Sequence, residues 1–204
     1  MYLVKTPFWL KTIYPSLTWN KSRKGKNIFL TFDDGPHEIA TAFVLEELKK
    51  YNALATFFCI GKNVEKHLDI YNQILNEGHS VGNHTQNHVN GWNCKTNLYI
   101  ENVVKASEKI HSNLFRPPYG RITQKQIKAL KKEHYNIIMW DVLSGDFDTS
   151  ISNEKCLQNV ISNTENGSII VFHDSEKAFS KLQFVLPKVL EHFKNQGYVF
   201  SALK

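Results

Sequence analysis

The chain has 204 residues, 42% hydrophobic and 22% charged, with a formal net charge of +6. That length carries one sizeable core and is short for two domains; the composition is that of a soluble globular protein and excludes a disordered or fibrous chain. The basic residues are scattered (Lys21 to Lys26, Lys49–Lys50, Lys131–Lys132), with no run long enough for a nucleic-acid arm, so no nucleic-acid partner is expected. A lysine-rich solvated surface is the plain reading, and attraction to an anionic polymer or membrane surface the other.

The three cysteines, Cys59, Cys94 and Cys156, are odd in number and widely spaced, which speaks against a disulfide framework, and none sits in a CxxC pair, which speaks against a thiolate metal site. The first residues, MYLVKTPFWLKTIYPSLTW, look apolar but are broken by Lys5, Pro7, Lys11 and Pro15. That is neither a signal-peptide core nor a membrane span. Residues 1–26 are expected to pack on or beside a single domain spanning 1–204, an amphipathic segment on a membrane surface being the alternative. The missing signal points to the cytoplasm, with cell-envelope association left open.

The elements then alternate. NIFLTF (27–32) reads as a strand and 39–52 as a helix; LATFFCI (54–60) is the next strand. Helical spacing covers 63–78, closed by Gly78, before a short strand at 79–84. A helix over 96–113 leads to LFRPPYG (114–120), where two prolines stop a strand. A helix over 123–134, a strand over 135–142, a helix over 153–167 and a strand over 168–175 follow. The last helix, 179–197, contains Pro187, which predicts a break or a first-turn position, and 198–203 closes as a strand. Repeated β-then-α units predict an α/β fold with a parallel sheet, open or closed into a barrel. No phosphate-binding glycine motif is present.

Polar residues follow the strands at their C-terminal ends: Asp33 and Asp34, His84, Arg116, Asp146, His173 and Asp174. In a parallel sheet those ends face one side, so residues distant in sequence converge there. In GNHTQNH, His84 and His88 are four apart, a spacing that on a helical turn lets two imidazoles share a metal. A carboxylate from Asp33 or Asp34 would complete three protein ligands and leave positions open, the usual form of a catalytic zinc. The second carboxylate would then stay free beside the cation to take a proton from metal-bound water. The rival explanation of the pair is a cap on a helix starting near Pro36.

Four motifs in this order, TFDDGP, HTQNH, RPPYG and IIVFHDS, resemble those of the polysaccharide deacetylases, the family 4 carbohydrate esterases, over roughly residues 27–203. The resemblance implies a distorted (β/α)7-type barrel and metal-dependent hydrolysis of an N-acetyl, sometimes O-acetyl, group on a sugar, usually with Zn2+. It implies Asp33 as general base, Asp34, His84 and His88 as metal ligands, Arg116 as the residue that orients Asp33, and His173 as general acid partnered by Asp146. It further implies substrate contacts from Pro118 and Tyr119 of RPPYG, the Tyr119 N–H serving the oxyanion, and from Val171 beside the acetyl methyl. Phe147 stands where the family usually has Trp. The expected partner is an N-acetylated glycan such as a chitin fragment or peptidoglycan. A metal-dependent amidohydrolase acting on a small non-sugar amide and a non-catalytic carbohydrate binder are the alternatives. The sequence leaves the glycan, the metal identity and the oligomeric state open.

Overall fold

The computed structural model describes residues 2–204. Seven strands lie along one sheet: β1 (Asn27–Asp33), β2 (Thr56–Cys59), β3 (Ser80–Asn83), β4 (Leu114–Phe115), β5 (Asn136–Ile137), β6 (Val142–Leu143) and β7 (Ile169–His173). Their order is β5-β4-β3-β2-β1-β7-β6, and β8 (Val199–Phe200) pairs with the start of β1. Every strand-to-strand pairing is parallel, as the β-then-α alternation requires. The result is a parallel half-barrel rather than a closed one.

The central strands explain the layering. Successive side chains of a strand point to opposite faces. In β1, Ile28, Leu30 and Phe32 face the helices; Phe32 stacks on Phe57 of β2 at 5.2 Å and on Phe172 of β7 at 5.9 Å. The alternate set, Thr31 and Asp33 of β1 with Val171 and His173 of β7, faces inward, in register as Thr31 with Val171 and Asp33 with His173. A strand buried on both faces thus ends on two inward polar groups held one strand spacing apart.

The helices cover the outer face. α1 is Phe8–Ile13, α2 Ala40–Lys50, α3 Gly61–Lys66, α4 Leu68–Asn76, α5 Thr96–Ser107, α6 Gln124–Lys132, α7 Asn153–Ile161 and α8 Glu176–Asn195. The expected single helix over 63–78 is two helices, because His67 leaves helical space at φ −128°, ψ 55°. Gly78 does end the second, at φ +83°. Pro187 breaks nothing: α8 runs through it, with Val185, Leu186, Val189 and Leu190 fully buried on either side. The apolar face of a 20-residue helix outweighs one missing backbone donor there.

The strand expected over 135–142 is divided. Asn136–Ile137 pairs with β4 at one edge of the sheet and Val142–Leu143 pairs with β7 at the other. The chain between them spans the seam at which the barrel fails to close. Its polar groups are met from elsewhere: Arg116 donates to the Ile138 and Met139 carbonyls, and the N-terminal residues supply bridges from Thr18 to Ile138 and Lys5 to Val142.

That N-terminal segment is fastened at Asp141, a fully buried carboxylate. Lys5 at 3.0 Å, Lys11 at 2.6 Å and Arg23 at 2.9 Å all donate to it, with the Ser168 hydroxyl at 2.6 Å. Burial works against the charge, but these donors outweigh it and hold the carboxyl below the usual carboxylate range. Hydrogen bonds to a charged group contribute about 1.5–3 kcal/mol each. Asp141→Asn is therefore expected to lower unfolding free energy by at least about 1–3 kcal/mol and to expose Lys5 and Lys11 to trypsin under native conditions. Cleavage no faster than in the parent would mean that the segment is held by something other than this carboxylate.

Candidate active site

The C-terminal ends of β1, β3, β4 and β7 deliver their polar groups to one cleft of about 1320 Å3, lined among others by Asp33, Asp34, His84, His88, Tyr119, Phe147, Val171 and His173. The two adjacent aspartates do different things. Asp33, the last residue of β1, points inward to Arg116, whose Nη1 donates to Asp33 Oδ1 at 2.6 Å. Asp34 leaves the strand in the left-handed region at φ +82°, which turns its carboxylate away from that of Asp33.

Arg116 is fully buried, and each of its three nitrogens donates. Nη1 also donates to Thr31 Oγ1 at 2.7 Å, Nη2 to the Met139 carbonyl at 3.0 Å and Nε to the Ile138 carbonyl at 3.3 Å, while the Phe58 ring lies 4.1 Å from the guanidinium carbon. A charge buried at this depth is tolerable because each face and edge is occupied. It leaves one oxygen of Asp33 for the cleft.

Asp34, His84 and His88 each offer a ligand atom, and these atoms lie within 4.8 Å of one another. Asp34 Oδ1 is buried without a hydrogen-bond partner, although His84 Nε2 and His88 Nε2 approach it at 3.7 and 3.1 Å. An orphaned carboxylate oxygen facing two imidazole nitrogens is what a divalent cation would satisfy. His84 Nδ1 is engaged by the Arg116 carbonyl at 2.8 Å, so the neutral ring donates there and presents the Nε2 lone pair. Burial pushes the His84 pKa down to about 4, which keeps that lone pair free at neutral pH. The donor set therefore fits a divalent metal.

The two histidines are not on a helical turn. Residues 84–90 form a loop in which Thr85 and His88 take positive φ, 66° and 53°. Side chains fix its shape: Asn83 Oδ1 accepts from the Thr85 N–H at 2.8 Å, and Thr85 Oγ1 accepts from the Val89 N–H at 3.2 Å. The imidazole centroids end 5.1 Å apart.

His173 faces the cleft from β7. Its Nδ1 lies 2.8 Å from Asp146 Oδ1, and its N–H donates to Asp146 Oδ2 at 2.7 Å, so one carboxylate holds ring and backbone together. Burial opposes the charged ring, but Asp146, with lesser help from Asp34 and Asp33, outweighs it and raises the His173 pKa to about 10. Phe147 packs edge-on to the His173 ring at 5.1 Å, and Tyr2 packs on Phe147 at the same distance.

Tyr119 sits in a short 3₁₀ turn at φ +60°, ψ 7°, with its ring 4.6 Å from that of His88, and among the described residues no acceptor meets its N–H. Pro118 is turned into the protein, and its neighbour Pro117 lines the cleft in its place. Arg116 and Asp146 stand behind the wall and act through Asp33 and His173.

A family model for polysaccharide deacetylase matches residues 20–138. The chain belongs to the polysaccharide deacetylase family. It is 35% identical over 191 residues to a peptidoglycan-N-acetylglucosamine deacetylase of Bacillus cereus, spanning 90% of this chain and 89% of that protein. It is 31% identical over 166 residues to a chitooligosaccharide deacetylase of Azorhizobium caulinodans, 78% of this chain and 76% of that one. The crystal structure of a peptidoglycan N-acetylglucosamine deacetylase in complex with 4-naphthalen-1-yl-N-oxidanyl-benzamide superposes with a TM-score of 0.89 at 30% identity, covering 97% of this chain and 95% of that one.

Within this deacetylase fold, two contributions go beyond the roles that the motifs imply. Asp174, next to His173, accepts from the Gly35 N–H at 3.0 Å and from the Thr41 hydroxyl at 2.5 Å, pinning the turn that aims Asp34. A Cβ on Gly35 would lie 2.0 Å from Asp174 Oδ2, so the glycine is required by close approach. Burial pushes the Asp174 pKa up to about 8. The second contribution is the N-terminal segment: Tyr2, Leu3, Pro7, Leu10 and Tyr14 line the cleft, which no strand-end pattern in the sequence signals.

The His173–Asp146 pair makes a pH prediction. A histidine whose folded pKa is raised contributes stability that is complete below the unfolded value of about 6.5 and is lost as pH rises through the folded value. In the metal-free protein the His173 ring should titrate near pH 10 by NMR. Asp146→Asn should bring it to or below about 6.5, because burial then acts without its countercharge. An unchanged midpoint would show that Asp146 does not set the charge of His173.

Proposed function

We propose that the chain is a metal-dependent hydrolase that removes N-acetyl groups from N-acetylglucosamine residues of a glycan, with peptidoglycan as its polymer. The observation that carries this reading is the separation of two adjacent carboxylates: Asp33 tied to Arg116 with an oxygen toward the cleft, and Asp34 aimed at His84 and His88. Asp34, His84 and His88 would hold the cation, Zn2+ suiting a ligand set of two imidazoles and one carboxylate. A bound divalent cation supplies Lewis-acid polarisation and makes water more acidic.

The residues of the chain do the rest. Asp33 takes a proton from the attacking water as the new C–O bond forms. The Tyr119 N–H, without an acceptor among the described residues, is placed to donate to the oxygen that gains charge. His173, protonated by virtue of Asp146, gives its proton to the sugar nitrogen as the C–N bond breaks. Acetate and a free amine leave. Val171 and Leu143 provide apolar wall for the acetyl methyl, and Phe147 with Tyr2 an aromatic edge.

The cleft volume supports a glycan over a small amide: about 1320 Å3 exceeds the usual few hundred to about 1,000 Å3 of a small-molecule pocket. The relatives named for peptidoglycan deacetylation support the polymer. On this reading the chain works at the cell envelope rather than in the cytoplasm that the missing signal suggested. No helix among the described residues is long and apolar enough to cross a membrane.

Acetate release from peptidoglycan and from chito-oligosaccharides tests the assignment. Asp33→Asn should lower kcat by about 10²-fold or more, with metal content unchanged. His173→Ala should lower it by a similar factor. A parent enzyme that releases acetate from neither substrate while holding its metal would remove the glycan reading. Full activity in Asp33→Asn would remove the base assignment.

A further inference from the structure

The helix α1 is inside out. At about 100° per residue, Leu10, Lys11 and Tyr14 fall on one side of Phe8–Ile13 and Phe8, Trp9, Thr12 and Ile13 on the other. The inward side carries the lysine, whose Nζ reaches buried Asp141 at 2.6 Å and Asn20 Oδ1 at 3.2 Å. The solvent side carries the large apolar groups: Phe8 is 82% exposed, Trp9 58% and Ile13 59%, with Leu3 of the same segment at 56%. A surface helix ordinarily does the reverse. Clustered exposed aromatics and aliphatics mark a surface that meets another phase or molecule.

The neighbouring chain settles which one. Asn20 touches Lys11, and Arg23 shares the Asp141 carboxylate with it, so residues 20–24 run alongside α1. Lys21 and Lys24 belong to this stretch and pair with no Asp or Glu side chain among the described residues; Lys21 reaches only the Lys204 backbone oxygen at 3.5 Å, while Lys26 beyond them turns to the Gln196 carbonyl at 2.8 Å. Outward Phe, Trp and Ile flanked by lysines that no acidic side chain neutralises match an anionic lipid surface, which takes apolar side chains at the headgroup boundary and attracts the cations. A second copy on a two-fold axis would set one lysine stretch against the other. A neutral sugar offers nothing to Ile13 and Leu3.

We propose that α1 and residues 20–24 form an interfacial membrane-docking surface for anionic bilayers. Because Pro7, Leu10 and Tyr14 of the same segment line the catalytic cleft, docking places the cleft mouth at the lipid surface. Asp141 then links the two functions, since it holds the helix with its apolar side outward. This inference stands whichever glycan the site accepts.

Co-sedimentation of the whole chain with vesicles tests it. The parent should bind phosphatidylcholine vesicles containing phosphatidylglycerol and release from them at high salt, with little binding to phosphatidylcholine alone. The triple variant Phe8→Ser, Trp9→Ser, Ile13→Ser should bind at least about tenfold more weakly. Lys21→Glu with Lys24→Glu should weaken binding roughly fivefold per lysine and flatten the salt dependence. Phe8, Trp9, Ile13 and Lys24 are exposed and Lys21 gives up only a long contact to the Lys204 backbone oxygen, so melting temperature and hydrolysis of soluble substrate should stay at parental values. No binding of the parent to phosphatidylglycerol vesicles at low salt, or equal binding by the triple variant, overturns the proposal. So does a parental dimer in sedimentation equilibrium that the triple variant dissolves, which would make a second copy the occupant.

Discussion

The buried ion pair between Arg116 and Asp33 is the constraint on which the architecture turns. A guanidinium at zero exposure costs several kcal/mol unless its nitrogens find acceptors, and here the acceptors come from two places. They are Thr31 and Asp33 on the central strand, and the Ile138 and Met139 carbonyls in the seam where the barrel stays open. One side chain therefore ties the edge of the sheet to its centre. It substitutes for the strand pairing that would otherwise close the barrel, and it fixes the carboxylate proposed as the general base. Truncating either side chain would leave the other charged and buried, so the seam and the site are expected to fail together, whereas Asp33→Asn would keep an oxygen that accepts from Arg116.

Strand parity distributes the remaining roles. Asp33 and His173 face inward because they follow Thr31 and Val171 by two residues on parallel strands in register. Asp34 and Asp174, one residue further on, fall on the other side of each strand end. Asp174 there grips the Gly35 turn, and Asp34 is swung by its positive φ toward the histidines. The adjacent like charges are separated by geometry rather than neutralised by each other. Each has its own partner, a guanidinium for one and for the other the imidazole pair, with which it would hold a cation. Three residues of the metal loop and turn, Asp34, Thr85 and His88, hold left-handed conformations that non-glycine residues reach at a cost, and such strain persists where a surrounding network over-determines it.

Much of this was legible in the sequence. Apolar runs ending in polar residues located β1, β3 and β7 and predicted that their ends converge, because period-two burial and parallel pairing leave no other arrangement. The histidine pair was visible by spacing, but the helical turn expected between them is a loop, since Asn83 and Thr85 side chains compete successfully for its backbone donors. The break of residues 135–142 into two strands was hidden, because the reason lies in Arg116, some twenty residues away in sequence. Pro187 misled for a related reason: helix propensity is local, whereas the packing that carries α8 through it is not. The role of Asp141 was invisible because its three cations lie more than a hundred residues upstream, in a segment whose own pattern suggested only amphipathicity.

The central claim is that two neighbouring aspartates divide one reaction between them, Asp34 holding a cation and Asp33 remaining free of it. Elemental analysis of the zinc-supplemented protein with three variants addresses it directly. About one metal ion per chain is expected in the parent and in Asp33→Asn, with loss from Asp34→Asn and from His84→Ala. Metal lost from Asp33→Asn as well, or retained in Asp34→Asn, would contradict the division. A parent that takes up no metal would take away the centre around which the site is drawn.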